Sequence, residues 1–188
     1  MGSKLDIQPA TAERWADVED LFGANGAYSG CWCTYYRLTS REFSAAAGAG
    51  AKRILHDLVA AGPAPGLLAY LDGAPVGWCA LAPREEYGRV LRSPIVKPIA
   101  ADDTGVWSVT CFFVRRSHRR GGVAEALLEA AVVHAAKHGA RVVEGYPVAP
   151  GDDRSADLYP GTLGMFRRAG FAEVSRKTPR RVVMRRAP

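Results

Sequence analysis

The run VRRSHRRGGVA, residues 114–124, concentrates positive charge and glycine at a point where the chain changes its local character. A β-branched and aromatic run, VWSVTCFFV, precedes it, and a run that favours helix, EALLEAAVVHAAKH, follows it. This order predicts a strand, a short glycine turn and a helix. The first N–H groups of a helix lack partners within the helix and carry partial positive charge, so such a junction can bind an anion. Gly121 and Gly122 let the backbone approach a phosphate closely.

The spacing within this turn excludes the two common nucleotide loops. The chain has no GxxxxGK(S/T) at this point, and no GxGxxG followed by an acidic residue about twenty positions later. Residues 119–124, RRGGVA, instead fit Q/R-x-x-G-x-G/A, which resembles the pyrophosphate-binding motif of the GNAT acyltransferase superfamily. Val114 and Arg119 match the family's V-x-P-x-x-R-G lead-in, in which Arg116 replaces the proline. The sequence AGF at residues 169–171 resembles the family's late GF signature.

The resemblance implies an α/β (α+β) architecture, in which a mixed central sheet with splayed strands is flanked by helices. It implies a single acetyltransferase domain over residues 1–188, with acetyl-CoA as co-substrate and no metal. The implied activity is N-acyl transfer, acetyl above all, to a primary amine of a small molecule or peptide. Two alternatives stay open: a catalytically inactive CoA-binding sensor or interaction module, and an ordinary α/β turn whose arginines are simply solvated.

The resemblance also implies which residues bind the cofactor. The exposed edge of the strand can pair with pantetheine amides as a further strand would. The turn amides hold the pyrophosphate, and the arginines add forked donors. Tyr159 stands where many relatives have an asparagine that contacts the cofactor. The expected set is Phe112, Phe113, Val114, Arg119, Arg120, Gly121, Gly122, Val123, Ala124, Tyr159 and Phe166.

The proton carriers are where the sequence departs from the family. Phe166 occupies the position of the tyrosine that often acts as general acid, and Ser108 stands where some members place a glutamate base. Glu144 and Tyr146 lie two residues apart on the strand after the helix, so they share one face. We therefore predict Tyr159, Glu144 and Tyr146 as catalytic residues, with solvent as an alternative base. The competing interpretations are a tyrosine that packs on the cofactor and a buried structural carboxylate.

The aromatic segment CWCTYYR predicts a wall of the acceptor site, because aromatic rings stack on planar or cationic groups. In this interpretation Trp32, Tyr35 and Tyr36 line the site, and Arg37 takes a carboxylate. The alternative is a hydrophobic plug beneath the first helices.

The four cysteines do not have the spacing of a zinc site. Cys31 and Cys33 form one C-x-C pair, whereas Cys79 and Cys111 are isolated on predicted strands. Structural zinc sites use C-x₂₋₄-C pairs. We therefore expect reduced thiols in apolar surroundings.

The distribution of charge and apolar residues limits the classes of binding partner. The formal net charge is +6, and much of the excess lies in the glycine turn and in the tail RKTPRRVVMRR. Without interleaved aromatics, a local anion site explains the turn better than nucleic acid does, and the tail is typical of a terminal strand with arginines on its solvent face. No apolar run approaches the ~18 residues of a membrane span, and the first residues lack a signal-peptide core. We expect a cytoplasmic monomer or homodimer.

The coarse element order predicted from hydrophobic period and turn residues is β-α-α-β-β-β-α-β-α-β-β. The predicted elements are a strand over 4–8, a helix over 12–22 capped by Thr11, a helix over 41–62 capped by Ser40, a hairpin over 66–83 that turns at Asp72-Gly73, a loop over 83–104 with a short helix near Glu85, a strand over 105–115, a helix over 121–138, a strand over 141–147, a helix over 161–169 and two final strands.

Overall fold

The computed structural model describes residues 5–97, 103–151 and 158–188 of the chain. Seven strands form one mixed sheet: β1 (Leu5–Pro9), β2 (Gly66–Leu71), β3 (Ala74–Pro83), β4 (Val106–Val114), β5 (Val142–Gly145), β6 (Ala172–Ser175) and β7 (Val183–Arg186). Their spatial order is β1-β2-β3-β4-β5-β7-β6. Among the described strands, only β4 and β5 pair in parallel, and the other neighbours are antiparallel. The expected mixed sheet is confirmed.

Helices cover both faces of the sheet. The helices of the described ranges are α1 (Trp15–Phe22), α2 (Ser40–Ala46), α3 (Ala49–Ala61), α4 (Gly88–Arg92), α5 (Val123–Lys137) and α6 (Leu163–Arg168). Apolar residues of α5 and α6 pack on one face, and those of α1 and α3 pack on the other. No helix in these ranges combines the length and the apolar character needed to cross a membrane.

The side chains of β4 alternate between the two helical layers that cover the sheet. The Phe112 side chain packs with α5 and α6, whereas Cys111 and Phe113 pack with the α1 and α3 layer. Successive side chains of a strand point to opposite faces, so this division follows from the pleat. The register with β3 shifts at Thr110, which is an extra residue in β4. Such a bulge bends the strand and increases its twist.

The two parallel strands pair over only part of their length. The paired stretch runs from Val106 to Val109 on β4, opposite β5. β4 then continues to Val114 with no partner strand on that side among the described residues. Phe166 of α6 is fully buried, and its ring lies against Gly145 at the end of β5. The strands therefore separate over the second half of β4, as the resemblance implied.

The helix predicted over residues 41–62 is interrupted in the structure and forms two helices, α2 and α3. The chain leaves the helical conformation at Ala47 and Gly48, where Gly48 has a φ of 79° and its N–H donates to the Gly30 carbonyl at 3.0 Å. The cap of α2 is Thr39 and not Ser40. The Thr39 hydroxyl accepts from the Glu42 N–H at 3.2 Å, and the Glu42 carboxylate accepts from the Thr39 N–H at 2.7 Å. This reciprocal pair is a capping box.

The other elements lie close to their predicted bounds. Thr11 makes no side-chain cap, because its hydroxyl accepts from Arg14 Nη1 at 3.0 Å and a 3₁₀ turn precedes α1. The hairpin turns at Asp72-Gly73, and both residues have positive φ angles. The region near Glu85 forms a 3₁₀ turn that is followed by α4. The predicted loop over 83–104 and the loop after β5 extend partly outside the described residues.

Candidate functional site

The glycine turn joins β4 to α5 and leaves amides at the helix N-terminus. Arg120 and Gly122 both have positive φ angles, 63° and 78°, and Gly122 is the N-cap residue of α5. That N-cap provides no side-chain hydrogen bond, so the N–H groups of the first turn are available to solvent or a ligand. A Cβ atom built on Gly122 would meet nothing within 4 Å. The turn is therefore a concave set of donors beside open space, which suits an anion.

This open space belongs to a cleft of about 440 Å³, which we name the turn cleft. Phe113 belongs to the opposite face of the sheet, and Phe166 is fully buried beneath the gap between the strands. Neither residue lines the turn cleft, nor does Gly121. The expected cofactor residues that do line it are Phe112, Val114, Arg119, Arg120, Gly122, Val123, Ala124 and Tyr159.

The strand edge that was expected to be free is already bonded within the chain. Phe113 pairs with β3, so the backbone groups of Phe112 and Val114 face the gap. The Phe112 N–H donates to the Tyr159 carbonyl at 2.6 Å, and the Val114 carbonyl accepts from Arg119 Nε at 3.1 Å. The prediction of an unpaired edge is wrong for these two groups, because the segment that precedes α6 lies against β4.

An apolar pocket of about 310 Å³ lies beside the turn cleft, and we name it the thiol pocket. Tyr159 lines both spaces, so they meet at this residue. Its ring lies 5.5 Å from the ring of Tyr28. Burial raises the pKa of Tyr159, which keeps its hydroxyl protonated at neutral pH. The walls of the pocket include the thiols of Cys31, Cys33 and Cys111 and the rings of Tyr28, Tyr35, Tyr36, Phe113 and Tyr159.

The thiols of this pocket have different environments. Cys33 Sγ accepts a hydrogen bond from Trp78 Nε1 at 3.1 Å. A hydrogen bond between the thiols of Cys33 and Cys111 lowers the pKa of Cys33 and raises that of Cys111. Burial raises the pKa of Cys31. All four cysteines are free, and the described part of the chain contains no group of three or more His, Cys, Asp or Glu residues that could hold a metal ion.

A more polar cleft of about 520 Å³ adjoins the thiol pocket, and we name it the arginine cleft after Arg89, Arg92 and Arg181 in its walls. Tyr35, Tyr36 and Arg181 line both spaces. Burial raises the pKa of Tyr36 to about 12, and the nearby Arg181 charge opposes that rise. Sequence reasoning missed these arginines, since two lie in a segment predicted as loop and one lies in the tail whose arginines were assigned to a solvent face.

The structure brings Tyr35 and Tyr36 into these walls but keeps Trp32 and Arg37 away from them. Trp32 is 5% exposed and packs against aromatic rings of α1. Arg37 forms an ion pair with Glu86, so its carboxylate partner is internal. Trp32 therefore belongs to the hydrophobic plug, which was the alternative interpretation of this segment. The prediction that Arg37 takes a substrate carboxylate is wrong in this arrangement.

Glu144 and Tyr146 share a face, as predicted, and belong to a buried network. Tyr146 Oη donates to Glu144 Oε1 at 2.7 Å and lies 2.7 Å from Ser108 Oγ. Glu144 is fully buried. Its Oε2 accepts from Arg185 Nε at 2.7 Å and lies 3.5 Å from Arg84 Nη1. Glu144 lines neither the turn cleft nor the thiol pocket.

The network is balanced in charge, because Asp103 also pairs with Arg84 and Arg185. The prediction that the tail arginines face solvent is therefore wrong for Arg185. Both oxygens of Glu144 have protein partners, which favours the structural interpretation of this carboxylate. A role of Glu144 or Tyr146 in proton transfer stays a prediction.

Comparisons with known proteins agree with this geometry. The acetyltransferase (GNAT) family model matches residues 32–165. A search of curated proteins finds no match. Similar solved structures include the PaiA N-acetyltransferase of Thermoplasma acidophilum with coenzyme A, which has a TM-score of 0.57 and 13% identity over 98% of this chain and 99% of that one. A GCN5-related N-acetyltransferase of Kribbella flavida has a TM-score of 0.56 and 18% identity, over 98% of each chain.

A GNAT family acetyltransferase of Brucella melitensis, solved with acetyl-CoA, has a TM-score of 0.52 and 16% identity over 98% of this chain and 88% of that one. At these identities the structures show a shared fold. The family model covers most of the sequence, including β4, the glycine turn and α5. The chain therefore belongs to the acetyltransferase (GNAT) family.

Proposed function

We propose that the protein transfers an acyl group, above all acetyl, from acetyl-CoA to the nitrogen of a primary amine on a small molecule or peptide. The observation that carries the proposal is the meeting of the turn cleft and the thiol pocket at Tyr159. One space has the amides and charge for a pyrophosphate, and the other is an apolar pocket that can hold an acceptor. A shared wall lets the two substrates react in contact.

The residues of the turn cleft fit coenzyme A. A side chain on Gly122 would enter open space at the N-terminus of α5, where the N-cap residue provides no side-chain hydrogen bond to the first-turn amides. Arg119 and Arg120 add positive charge at the same end. The relatives from Thermoplasma acidophilum and Brucella melitensis, which were solved with coenzyme A and acetyl-CoA, support the same ligand here. Pantetheine bound along β4 would replace the Tyr159 carbonyl as acceptor of the Phe112 N–H.

Acetyl-CoA supplies an acyl group that is activated as a thioester. The neutral amine forms the C–N bond with the thioester carbon, the C–S bond breaks, and the sulfur leaves as a thiolate. We assign the Tyr159 hydroxyl as the group that returns a proton to this thiolate, because its raised pKa keeps it protonated. Among the described residues that line the thiol pocket there is no carboxylate and no imidazole, so we assign water as the group that removes the proton from the amine.

The test is product formation in a defined mixture. The protein is incubated with acetyl-CoA and a panel of primary amines, and acetylated amine and free CoA are measured by liquid chromatography with mass spectrometry. We expect both products in a one-to-one ratio for at least one amine. The alternative, an inactive CoA-binding module in the cytoplasm, predicts CoA binding by calorimetry without amine-dependent turnover. Absence of CoA binding contradicts both.

A further inference from the structure

We infer that the arginine cleft binds a carboxylate or phosphate group of the acceptor, so that the substrate is a small amine that also carries an oxyanion. The inference rests on the proposed function, because it concerns the acceptor of that reaction. It makes Arg92 and Arg181 specificity-determining residues. Guanidinium groups suit this role, since they stay charged and present a planar fork of donors to oxyanions.

The three arginines of this cleft have no carboxylate partner among the described residues, unlike several other arginines of the fold. Arg37, Arg115 and Arg168 each form an ion pair, and the arginines of the Glu144 network form several. Arg92 makes no hydrogen bond or ion pair with any described residue. Among the described residues, the Arg181 side chain donates to one group, through Nη1 to the Tyr146 carbonyl at 3.5 Å. Both side chains therefore keep donors for a ligand.

The third arginine holds the wall in place. Arg89 Nε donates to the Tyr35 carbonyl at 2.7 Å, and Nη1 donates to Ser40 Oγ at 3.0 Å. Its guanidinium lies 4.1 Å from the centre of the Tyr35 ring. These contacts tie α4 to the segment that carries the two tyrosines of the cleft. Arg89 is thus a positioning residue that also adds charge.

All described charged residues that line the arginine cleft are positive. Among the described residues that line the arginine cleft or the thiol pocket, none is acidic. Glu42 of α2, which lies near Arg92 of α4, does not line either space and forms the capping box with Thr39. Thr39 is the main cause of the lowered pKa of Glu42, and Arg92 contributes to it. Three positive charges over one concave surface create a potential that attracts an anion.

Continuity with the thiol pocket makes this an acceptor site and not a separate anion site. Tyr35, Tyr36 and Arg181 line both spaces, and Tyr159 links the thiol pocket to the turn cleft. One molecule can therefore place its anion at the arginines and its amine beside Tyr159. The aromatic walls between these ends accommodate its carbon frame.

The test compares matched acceptors. Acetylation is measured for β-alanine against β-alaninamide, 6-aminohexanoate against 6-aminohexanamide, and O-phosphoethanolamine against ethanolamine. Rates are compared at equal concentrations of neutral amine, because the partners of each pair differ in amine pKa. We expect kcat/KM at least tenfold higher for the anionic partner of one or more pairs. The carboxylate and phosphate arms identify which oxyanion the cleft prefers.

Variants connect the preference to the cleft. R92Q/R181Q should reduce the preference at least tenfold and leave CoA affinity unchanged. Arg53, an exposed arginine on α3 that lies outside both linings, provides the matched control, and R53Q should keep the preference. A preference that survives in R92Q/R181Q, or transfer with no preference in any pair, overturns the inference while the proposed function stands.

A binding measurement decides the case in which no amine of the panel reacts. CoA-loaded protein is titrated with phenyl phosphate and with benzyl alcohol by calorimetry. Binding of phenyl phosphate that is stronger than that of the alcohol, and that weakens at least tenfold in R92Q/R181Q, supports the inference. Equal or absent binding overturns it. The proposed function is judged by separate measurements, which are CoA binding before either ligand is added and amine-dependent turnover in the panel.

Discussion

Gly122 gives the sharpest test of the turn cleft, because a side chain there meets the ligand and not the protein. Its φ of 78° is a conformation that costs an L-residue about 1–2 kcal/mol. A Cβ has open space around it, so Gly122→Glu adds no steric clash within the fold. For a domain of this size, the conformational cost should lower Tm by about 2–8 °C.

The effect on CoA should be much larger than the effect on folding. The new carboxylate faces a pyrophosphate with about two negative charges, and each pair at about 4 Å costs roughly 1 kcal/mol even in bulk water. The sum of about 2 kcal/mol weakens binding about 30-fold, before any steric exclusion is counted. Because salt screens exposed charges, the difference from wild type should shrink as ionic strength rises.

Gly139 provides the matched control at the other end of α5. It has a φ of 80°, and a Cβ there also meets nothing within 4 Å. Gly139→Glu should therefore cost similar stability and leave CoA affinity unchanged. Calorimetry with CoA and thermal unfolding of both variants give the comparison. A folded Gly122→Glu variant that binds CoA as tightly as wild type would refute the assignment of the turn cleft.

Three further outcomes follow from the same contacts. Tyr159→Phe should lower kcat roughly 100-fold with little change in CoA affinity. The control is Tyr28→Phe at the neighbouring ring, which should leave kcat near the wild-type value. Similar rates for both variants would show that Tyr159 is not the general acid. Glu144→Gln should lower the free energy of unfolding by about 3 kcal/mol, because the buried guanidinium of Arg84 and the partly buried one of Arg185 lose charge balance. Glu129→Gln, which breaks an exposed pair, should cost under about 1 kcal/mol. A fall in kcat without a fall in stability would instead make Glu144 catalytic. Burial, and then the nearby His138 charge, lower the pKa of His134 from 6.5 to about 4. Between these pH values the unfolded chain binds a proton that the folded chain does not bind, so the free energy of unfolding should decrease as pH falls from about 6.5 to 4. Solvent screening of this half-exposed ring limits the loss to about 1 kcal/mol, and His134→Gln should flatten that part of a curve of stability against pH.

The fold could be predicted where local signals agree. The order of elements from β4 to β5 follows from a β-branched run, a glycine turn and a helical run that ends near Gly139, all of which are local in sequence. The cap of α2 was predicted wrongly at Ser40, although Thr39 and Glu42 have the local spacing of a capping box. The break between α2 and α3 at Gly48 was harder to predict from the sequence, because it accompanies a tertiary contact with Gly30.

The acceptor side of the site could be predicted only in part, for a physical reason. The arginine cleft is assembled from the segment at Tyr35 and Tyr36, from α4, and from Arg181 before β7. These segments are separated by tens of residues, and no periodic pattern connects them. Arg181 and Arg185 look equivalent in the sequence, yet one lines a cleft and the other balances a buried carboxylate. Only tertiary packing distinguishes these two arginines.

The departure from the family's tyrosine position is consistent with the placement of Tyr159. Phe166 is fully buried, and its ring lies 6.3 Å from that of Phe112 and 4.9 Å from that of Phe171. A hydroxyl on this ring would need a partner in apolar surroundings, and an unsatisfied one costs about 1–3 kcal/mol. Phe166 thus fills the space between the separated strands as part of the core. In the proposed mechanism, the hydroxyl that reaches the reacting atoms belongs instead to Tyr159, seven residues earlier. The Tyr159 carbonyl accepts a hydrogen bond from β4, and its side chain lines both spaces.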